Sequence, residues 1–228
     1  MVSQRGIETN PDKIQAILNM QPSKNIKDVQ SLTRRVVALN RFVSKATDKS
    51  LPFFRVLRKA FEWTNECQQA FEDLKTSLAS TPLLSPSKPG EELYLYLGVS
   101  PHVVSSALIK EEGKILKPIY YTSKTLKGAE GRSPPMEKLA FSLVTAARKL
   151  RPYFQAYVIN VLTDHPLKKA MNKLEATGRL IQWAVEISEF DVRYKPREAI
   201  KAQVQISLLN LLLLKKMKTR GRSSRSSM

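Results

Sequence analysis

Cysteine is almost missing from this chain of 228 residues, where Cys67 stands alone. No disulfide can close within the chain, and no cysteine cluster can hold zinc. Cys67 falls inside a helical pattern, where a small packed residue is the ordinary reading and a nucleophile the unusual one. Histidine is nearly as scarce: His102 and His165 are too few and too far apart to build a metal cage. Long apolar runs are lacking as well. The first residues, MVSQRGIETNPDK, contain no apolar signal region. The run from Ile206 to Leu214 is too short to span a bilayer and is broken by Asn210. A soluble intracellular protein with no membrane partner is expected, and cytoplasm and nucleus both remain open. Acidic charge is the last shortage, with 20 Asp and Glu against 38 Lys and Arg, a net charge of +18. An excess of that size makes nucleic acid the natural partner, ahead of an anionic membrane.

What is present supports a folded core. Hydrophobic residues make up 42% of the chain, and the length has room for one large domain or two small ones. Asn10 followed by Pro11 is a helix start, with Ile14, Ile17 and Leu18 on one face. A second helix is expected from Ile26 to about Val43. It turns Val29, Leu32, Val36, Leu39 and Val43 inward and leaves Lys27, Arg34, Arg35 and Arg41 outside. A third is expected from about Asn65 to Leu78. Trp63 beside it reads as a packing residue rather than a base-stacking one, because large aromatics are mostly buried. Pro82, Pro86, Pro89 and Gly90 mark a loop and a boundary.

From Glu92 the period changes. Leu93 to Leu97, Val103 to Ile109 and Ile115 to Tyr121 are short strands separated by turns, an antiparallel meander. Next comes SPPMEKLAFSLVTAARKLRPYFQAYVINVLTDHP, from Ser133 to Pro166. Ser133 is placed to cap a helix whose first position is Pro134. Met136, Leu139, Ala140, Leu143, Val144, Ala147 and Leu150 form one apolar face. Pro152 is expected to stop that helix, and Ala156 to Leu162 reads as a buried strand. Helices near His165 to Asn172 and from Gly178, then a strand over Phe190 to Tyr194, complete the pattern. Three strands followed by helix, strand, helices and strand point to an α/β mixed sheet with flanking helices.

Two carboxylates sit where chemistry is possible. Glu137 lies in the first turn of the helix and Asp164 at the end of the following strand. Acids at such places can share a divalent cation, because hard ions take oxygen ligands. Each also has an ordinary role: Glu137 favours the positive end of its helix, and Asp164 caps the helix opening at His165-Pro166. On position alone the ordinary roles are favoured.

The blocks PPMEKLAFSLVTAARKLRPYFQAYVINVLTDHPLKKAM and GRLIQWAVEISEFDVRYKPREAIKAQ resemble the RNase H-like domain of plant gypsy-type LTR retrotransposon Pol polyproteins. FEWTNECQQAFEDLKTSLASTPLL is similar to the segment joining reverse transcriptase to RNase H in those elements. GIETNPDKIQAI and NIKDVQSLTRRVVALNRFVSKATDKSLPFF resemble the end of a reverse-transcriptase palm and its thumb. The resemblance implies palm end and thumb-like helices over 1–50, a connection segment over 51–89 and an RNase H-like domain over 90–205. Residues 206–228 are left as an aberrant tail, apolar and then rich in Lys, Arg and Ser, of a composition that does not build a core. The basic run KKMKTRGRSSR also matches a weak nuclear-localisation pattern.

The resemblance further implies cleavage of the RNA strand of an RNA–DNA hybrid by two-metal hydrolysis with Mg2+ or Mn2+. Glu137 and Asp164 match two of the four acidic positions that hold those ions. The other two fall at Gly98, which has no side chain, and near Ser207, which offers only a hydroxyl. Loss or weakening of hydrolysis is therefore expected, unless exposed neighbours such as Glu111, Glu112 or Asp191 replace the missing ligands. The polymerase motif YxDD has no counterpart, so copying of nucleic acid is not expected from this chain by itself. Binding of hybrid or duplex nucleic acid needs only positive charge and N–H donors. Arg34, Arg35 and Arg41 on the thumb-like helices are candidates, as are Lys124, Lys127, Arg132 and Lys138 around the first helix of the domain. Arg148, Lys149 and Arg151 add charge there. The polymerase part of the same polyprotein is a further expected partner. An active nuclease with replacement ligands and a decayed reading frame without selected function are the alternatives.

Overall fold

The computed structural model describes residues 2–3, 6–57, 61–79, 83–113, 115–171 and 178–197. Strands β1 (Val2–Ser3) and β2 (Gly6–Ile7) form a small antiparallel pair. Ile7 then exchanges hydrogen bonds with Leu84, at 2.8 and 3.2 Å. Gly6 has φ 142°, and a Cβ there would lie 2.3 Å from the Leu84 carbonyl oxygen. Only glycine fits so close an approach.

Helix α1 (Pro11–Leu18) starts as expected: Asn10 Oδ1 accepts the Asp12 N–H at 2.8 Å. Helix α2 (Ile26–Ala38) is capped in the same way by Asn25. It ends before the expected Val43, because the Leu39 N–H turns to the Val36 carbonyl and a 3-10 turn follows at Asn40–Phe42. Helices α3 (Ala46–Lys49), α4 (Leu51–Val56) and α5 (Asn65–Ala79) complete the helical part. Ile17, Val29, Leu32, Phe53, Phe71 and Leu74 form its core. Trp63 packs there as expected, stacked on Phe53 with ring centroids 5.9 Å apart and edge-on to Phe71 at 6.0 Å.

The predicted meander is present and longer than expected: β3 (Leu93–Val99), β4 (Val103–Glu112) and β5 (Ile115–Thr125). A short helix α6 (Ala129–Arg132) leads into α7 (Pro135–Lys149). Two expectations are corrected here. Ser133 does not cap α7; its hydroxyl donates to the Ala129 carbonyl at 3.3 Å, closing α6 instead. Pro152 does not stop a helix but sits in the first turn of a new one, α8 (Arg151–Ala156), where its missing N–H costs nothing. The strand β6 therefore begins at Ile159 and runs to Leu162, not from Ala156. Helix α9 (Leu167–Met171), helix α10 (Gly178–Ser188) and strand β7 (Val192–Lys195) follow. Strand β7 lies two residues beyond the expected start, because Phe190 folds back into a turn on Ile187. Ser207 and the tail lie outside the described residues.

The five-stranded sheet has the order β5-β4-β3-β6-β7, with β3 antiparallel to β4 and β3, β6 and β7 parallel. Period-2 alternation divides β3 between two cores. Leu93, Leu95 and Leu97 meet Leu139, Leu143 and Val144 of α7. On the opposite face Tyr96, Ala107, Ile109 and Tyr121 meet Phe42 from the helical part and Leu84 from the segment before β3. Polar bonds close that seam. Ser123 Oγ donates to Asn40 Oδ1 at 3.0 Å, the Thr47 N–H donates to Ser123 Oγ at 3.1 Å, and Ser100 Oγ donates to Asp48 Oδ1 at 3.0 Å. Burial raises the Asp48 carboxyl above its ordinary range, partly offset by Ser100, Lys45 and His102.

Candidate metal and nucleic-acid site

The sheet order decides which residues meet. In the parallel pair β3–β6, Leu95 lies beside Val161 and Tyr96 beside Leu162. Carrying that register two residues further brings Gly98 alongside Asp164. The N-terminal turn of α7, which crosses the β3 face, carries Glu137. A cleft at the end where β3 and β6 run out is lined by Val99, Met136, Lys138 and His165, the sequence neighbours of Gly98, Glu137 and Asp164.

Each acid there meets an arginine. Glu137 is buried, at 7% exposure, and its Oε1 lies 2.7 Å from Nη2 of Arg179 at the start of α10. The charges meet, but no N–H points squarely at the oxygen, which accepts no aligned hydrogen bond. Asp164 is exposed, and its Oδ1 accepts the backbone N–H of Arg197 at 3.1 Å. The Arg197 side chain reaches across both strand ends, Nη2 donating to the Leu97 carbonyl at 2.7 Å and Nε to the Leu162 carbonyl at 3.2 Å. The expected capping of the α9 turn by Asp164 is not what the geometry gives. Thr163 Oγ1 accepts the His165 N–H at 3.1 Å.

This donor set does not fit a pair of divalent ions. Such ions need several oxygens each, while Gly98 offers at most a carbonyl, Glu137 meets the Arg179 guanidinium and one Asp164 oxygen accepts a backbone N–H. No group of three or more His, Cys, Asp or Glu among the described residues can hold a metal. The replacement ligands considered from sequence lie elsewhere. Gly98 faces Ser105 across the β3–β4 ladder, whereas Glu111 and Glu112 lie past Lys110 at the other end, about 20 Å away. Glu112 pairs with Lys117. Asp191 lies beside Ile159 at the opposite end of β6, where it pairs with Arg193.

The basic candidates divide into exposed and half-buried groups. Arg34, Arg35, Lys124, Lys127 and Arg132 are exposed. Arg35 Nη1 also donates to the Ala16 carbonyl at 3.4 Å. Lys124 sits 4.4 Å over the Phe141 ring and 3.8 Å from Glu130, and the Lys127 backbone N–H donates to Glu130. Arg41 is half-buried at the seam, about 5 Å from the ring centres of both Phe42 and Tyr120. Lys138 is half-buried too, with Nζ donating to the Pro101 carbonyl at 3.3 Å. Exposed His165 stands between two open clefts. One, of about 650 Å3, runs past Ser100, Met136 and Lys138; the other, of about 610 Å3, past Lys168, Lys169 and Lys195. Sequence reasoning did not single out Arg179 and Arg197. The only local hint was an arginine just before an apolar helical pattern and another just past a strand.

Residues 63–161 match the family described as the RNase H-like domain found in reverse transcriptase. The chain is 24% identical over 213 residues to the Pol polyprotein of transposon opus from Drosophila melanogaster, covering 86% of this chain and 21% of that protein. It is also 24% identical over 208 residues to the Tf2-3 polyprotein of Schizosaccharomyces pombe, covering 87% of this chain and 16% of that one. The chain thus spans about a fifth or less of these curated relatives. Among solved structures, the foamy viral protease–reverse transcriptase in complex with an RNA/DNA hybrid is similar, with a TM-score of 0.71 and 19% identity. That alignment covers 90% of this chain and 29% of the other. The foamy viral protease–reverse transcriptase dRH in complex with double-stranded DNA gives the same TM-score and identity, over 89% and 37%. These likenesses establish the RNase H-like fold with its preceding helices. No helix among the described residues is long and apolar enough to cross a membrane.

Proposed function

We propose that this chain is the thumb, connection and RNase H-like portion of a Pol polyprotein, of the plant gypsy type that its sequence blocks resemble. In this reading it holds an RNA–DNA hybrid or duplex and does not cut it efficiently. Gly98 carries the reading. Hydrolysis assisted by two metal ions would need several carboxylates, among them one at Gly98, to hold the ions that supply the hydroxide and stabilise the leaving oxygen. Beside Asp164 that position has no carboxylate, and Glu137, the buried acid, is already paired with the Arg179 guanidinium.

Binding makes a smaller demand. Phosphates need positive charge on a surface that follows the backbone. The net charge of +18, the exposed Arg34, Arg35, Lys127 and Arg132, and the lysines along the clefts beside His165 supply it. The foamy viral proteins of the same fold are described in complex with RNA/DNA hybrid and with double-stranded DNA, which favours the same class of partner here. The test is an end-labelled RNA–DNA hybrid incubated with Mg2+ or Mn2+, read for cleavage and by gel shift, beside Glu137→Gln and Asp164→Asn. Salt-sensitive binding without cleavage is expected. Cleavage that both substitutions abolish would refute the reading, and so would failure to bind.

A further inference from the structure

Helices α7 and α10 are fastened to each other at both ends. At their C-terminal ends Arg148 meets Glu186 in a two-pronged pair, Nε to Oε1 and Nη2 to Oε2, each at 2.8 Å. This raises the Arg148 guanidinium and lowers the Glu186 carboxyl relative to their ordinary values. At their N-terminal ends the pair is Glu137 with Arg179. The side chain of Glu137 is only 9% exposed, and burying a charge that deeply is costly unless an opposite charge matches it. The nearest lysine in sequence does not provide it, since Lys138 Nζ turns to the Pro101 carbonyl.

We infer that Glu137 is a structural anchor in this chain, with the Arg179 guanidinium as its permanent counter-ion. The carboxylate that lies at the metal position of the fold here ties α10 to α7. A guanidinium stays charged throughout the accessible pH range, so the neutralisation needs no divalent ion and does not vary with its concentration. Arg197 does related work beside it, spanning the Leu97 and Leu162 carbonyls and giving its N–H to Asp164. The end of the sheet is thereby closed by two arginines supplied by the last described elements of the chain. This inference rests on the proposed function only in taking Glu137 out of catalysis.

The experiment is a double-mutant cycle on the thermal unfolding of the full chain, with Glu137→Gln, Arg179→Gln and the two combined, in chelator and again with Mn2+. Arg179→Gln is expected to lower Tm by about 3 to 8 °C. The double substitution should fall by clearly less than the sum of the singles. Arg179→Lys, which keeps the charge, should retain half or more of the stability and covers the case in which Arg179→Gln fails to fold. Mn2+ should leave the Tm of the parent unchanged. Additive losses, or a rise in the parent's Tm with Mn2+ that Glu137→Gln removes, would overturn the inference. Neither readout uses nucleic acid, so the two ideas fail separately. An additive cycle in a chain that binds without cutting removes only the anchor, and strong coupling in a chain that does not bind removes only the proposed function.

Discussion

Replacing Arg197 with alanine removes a side chain that joins two strands through their ends. Its Nη2 donates to the Leu97 carbonyl at 2.7 Å and its Nε to the Leu162 carbonyl at 3.2 Å. A hydrogen bond from a charged donor contributes about 1.5–3 kcal/mol when well buried. Arg197 is only half-buried, and its second bond is long, so the pair together is worth about 2–3 kcal/mol rather than the full sum. For a chain of this size that corresponds to a fall in Tm of roughly 4 to 12 °C. Urea unfolding followed by circular dichroism is the assay, with a lower midpoint and an unchanged slope expected. Arg197→Lys should fall in between, because a compact ammonium lacks the planar fork that spans two carbonyls. Asp164→Asn should change little, since an amide oxygen still accepts the Arg197 N–H. If Arg197→Ala stays within about 0.5 kcal/mol of the parent, the bridge is not structural and the reasoning is wrong.

Three further perturbations probe other parts of the molecule. Burial raises the Asp48 carboxyl above its ordinary value of 3.8, so ionising it costs more in the folded state than in the unfolded one. That penalty is absent below the unfolded value and complete above the raised one. Asp48→Asn should therefore stabilise the chain at neutral pH and lose this gain below about pH 3.8, as melting at both pH values will test. Arg34→Ala with Arg35→Ala should weaken duplex binding regardless of sequence and flatten the dependence of log K on log salt by roughly 0.9 for each phosphate no longer neutralised; an unchanged slope removes both from the interface. Gly6→Ala, at φ 142° and with its Cβ 2.3 Å from the Leu84 oxygen, should cost about 1–3 kcal/mol and speed hydrogen exchange at the Ile7 amide, whereas unchanged exchange would mean that the bridge tolerates a side chain.

Much of the fold was legible because its signals are local. Asn10-Pro11 and Asn25 start helices through bonds made within a few residues, and the meander declares itself by alternation and short turns. Pro152 misled because a proline marks a helix start as well as a stop. Leu150, Tyr153 and Phe154, bonded across that turn, decide for a start. Ser133 misled for a similar reason: a hydroxyl just ahead of one helix is also just behind another, and Ala129 took it.

The sequence by itself determined that Gly98 has no carboxylate to offer, that Glu137 opens a helix, that Asp164 ends a strand, and that the chain is strongly basic. These follow from residue identity and short-range pattern, whatever the chain does next. Only the tertiary structure decided what those acids touch. Arg197 bonds a carbonyl 100 positions away, and Arg179 reaches Glu137 because the sheet order sets α10 beside α7. A charge carries no address in sequence. Its partner is fixed by the packing of apolar faces, whose burial outweighs any single ion pair and so chooses which charges end up side by side.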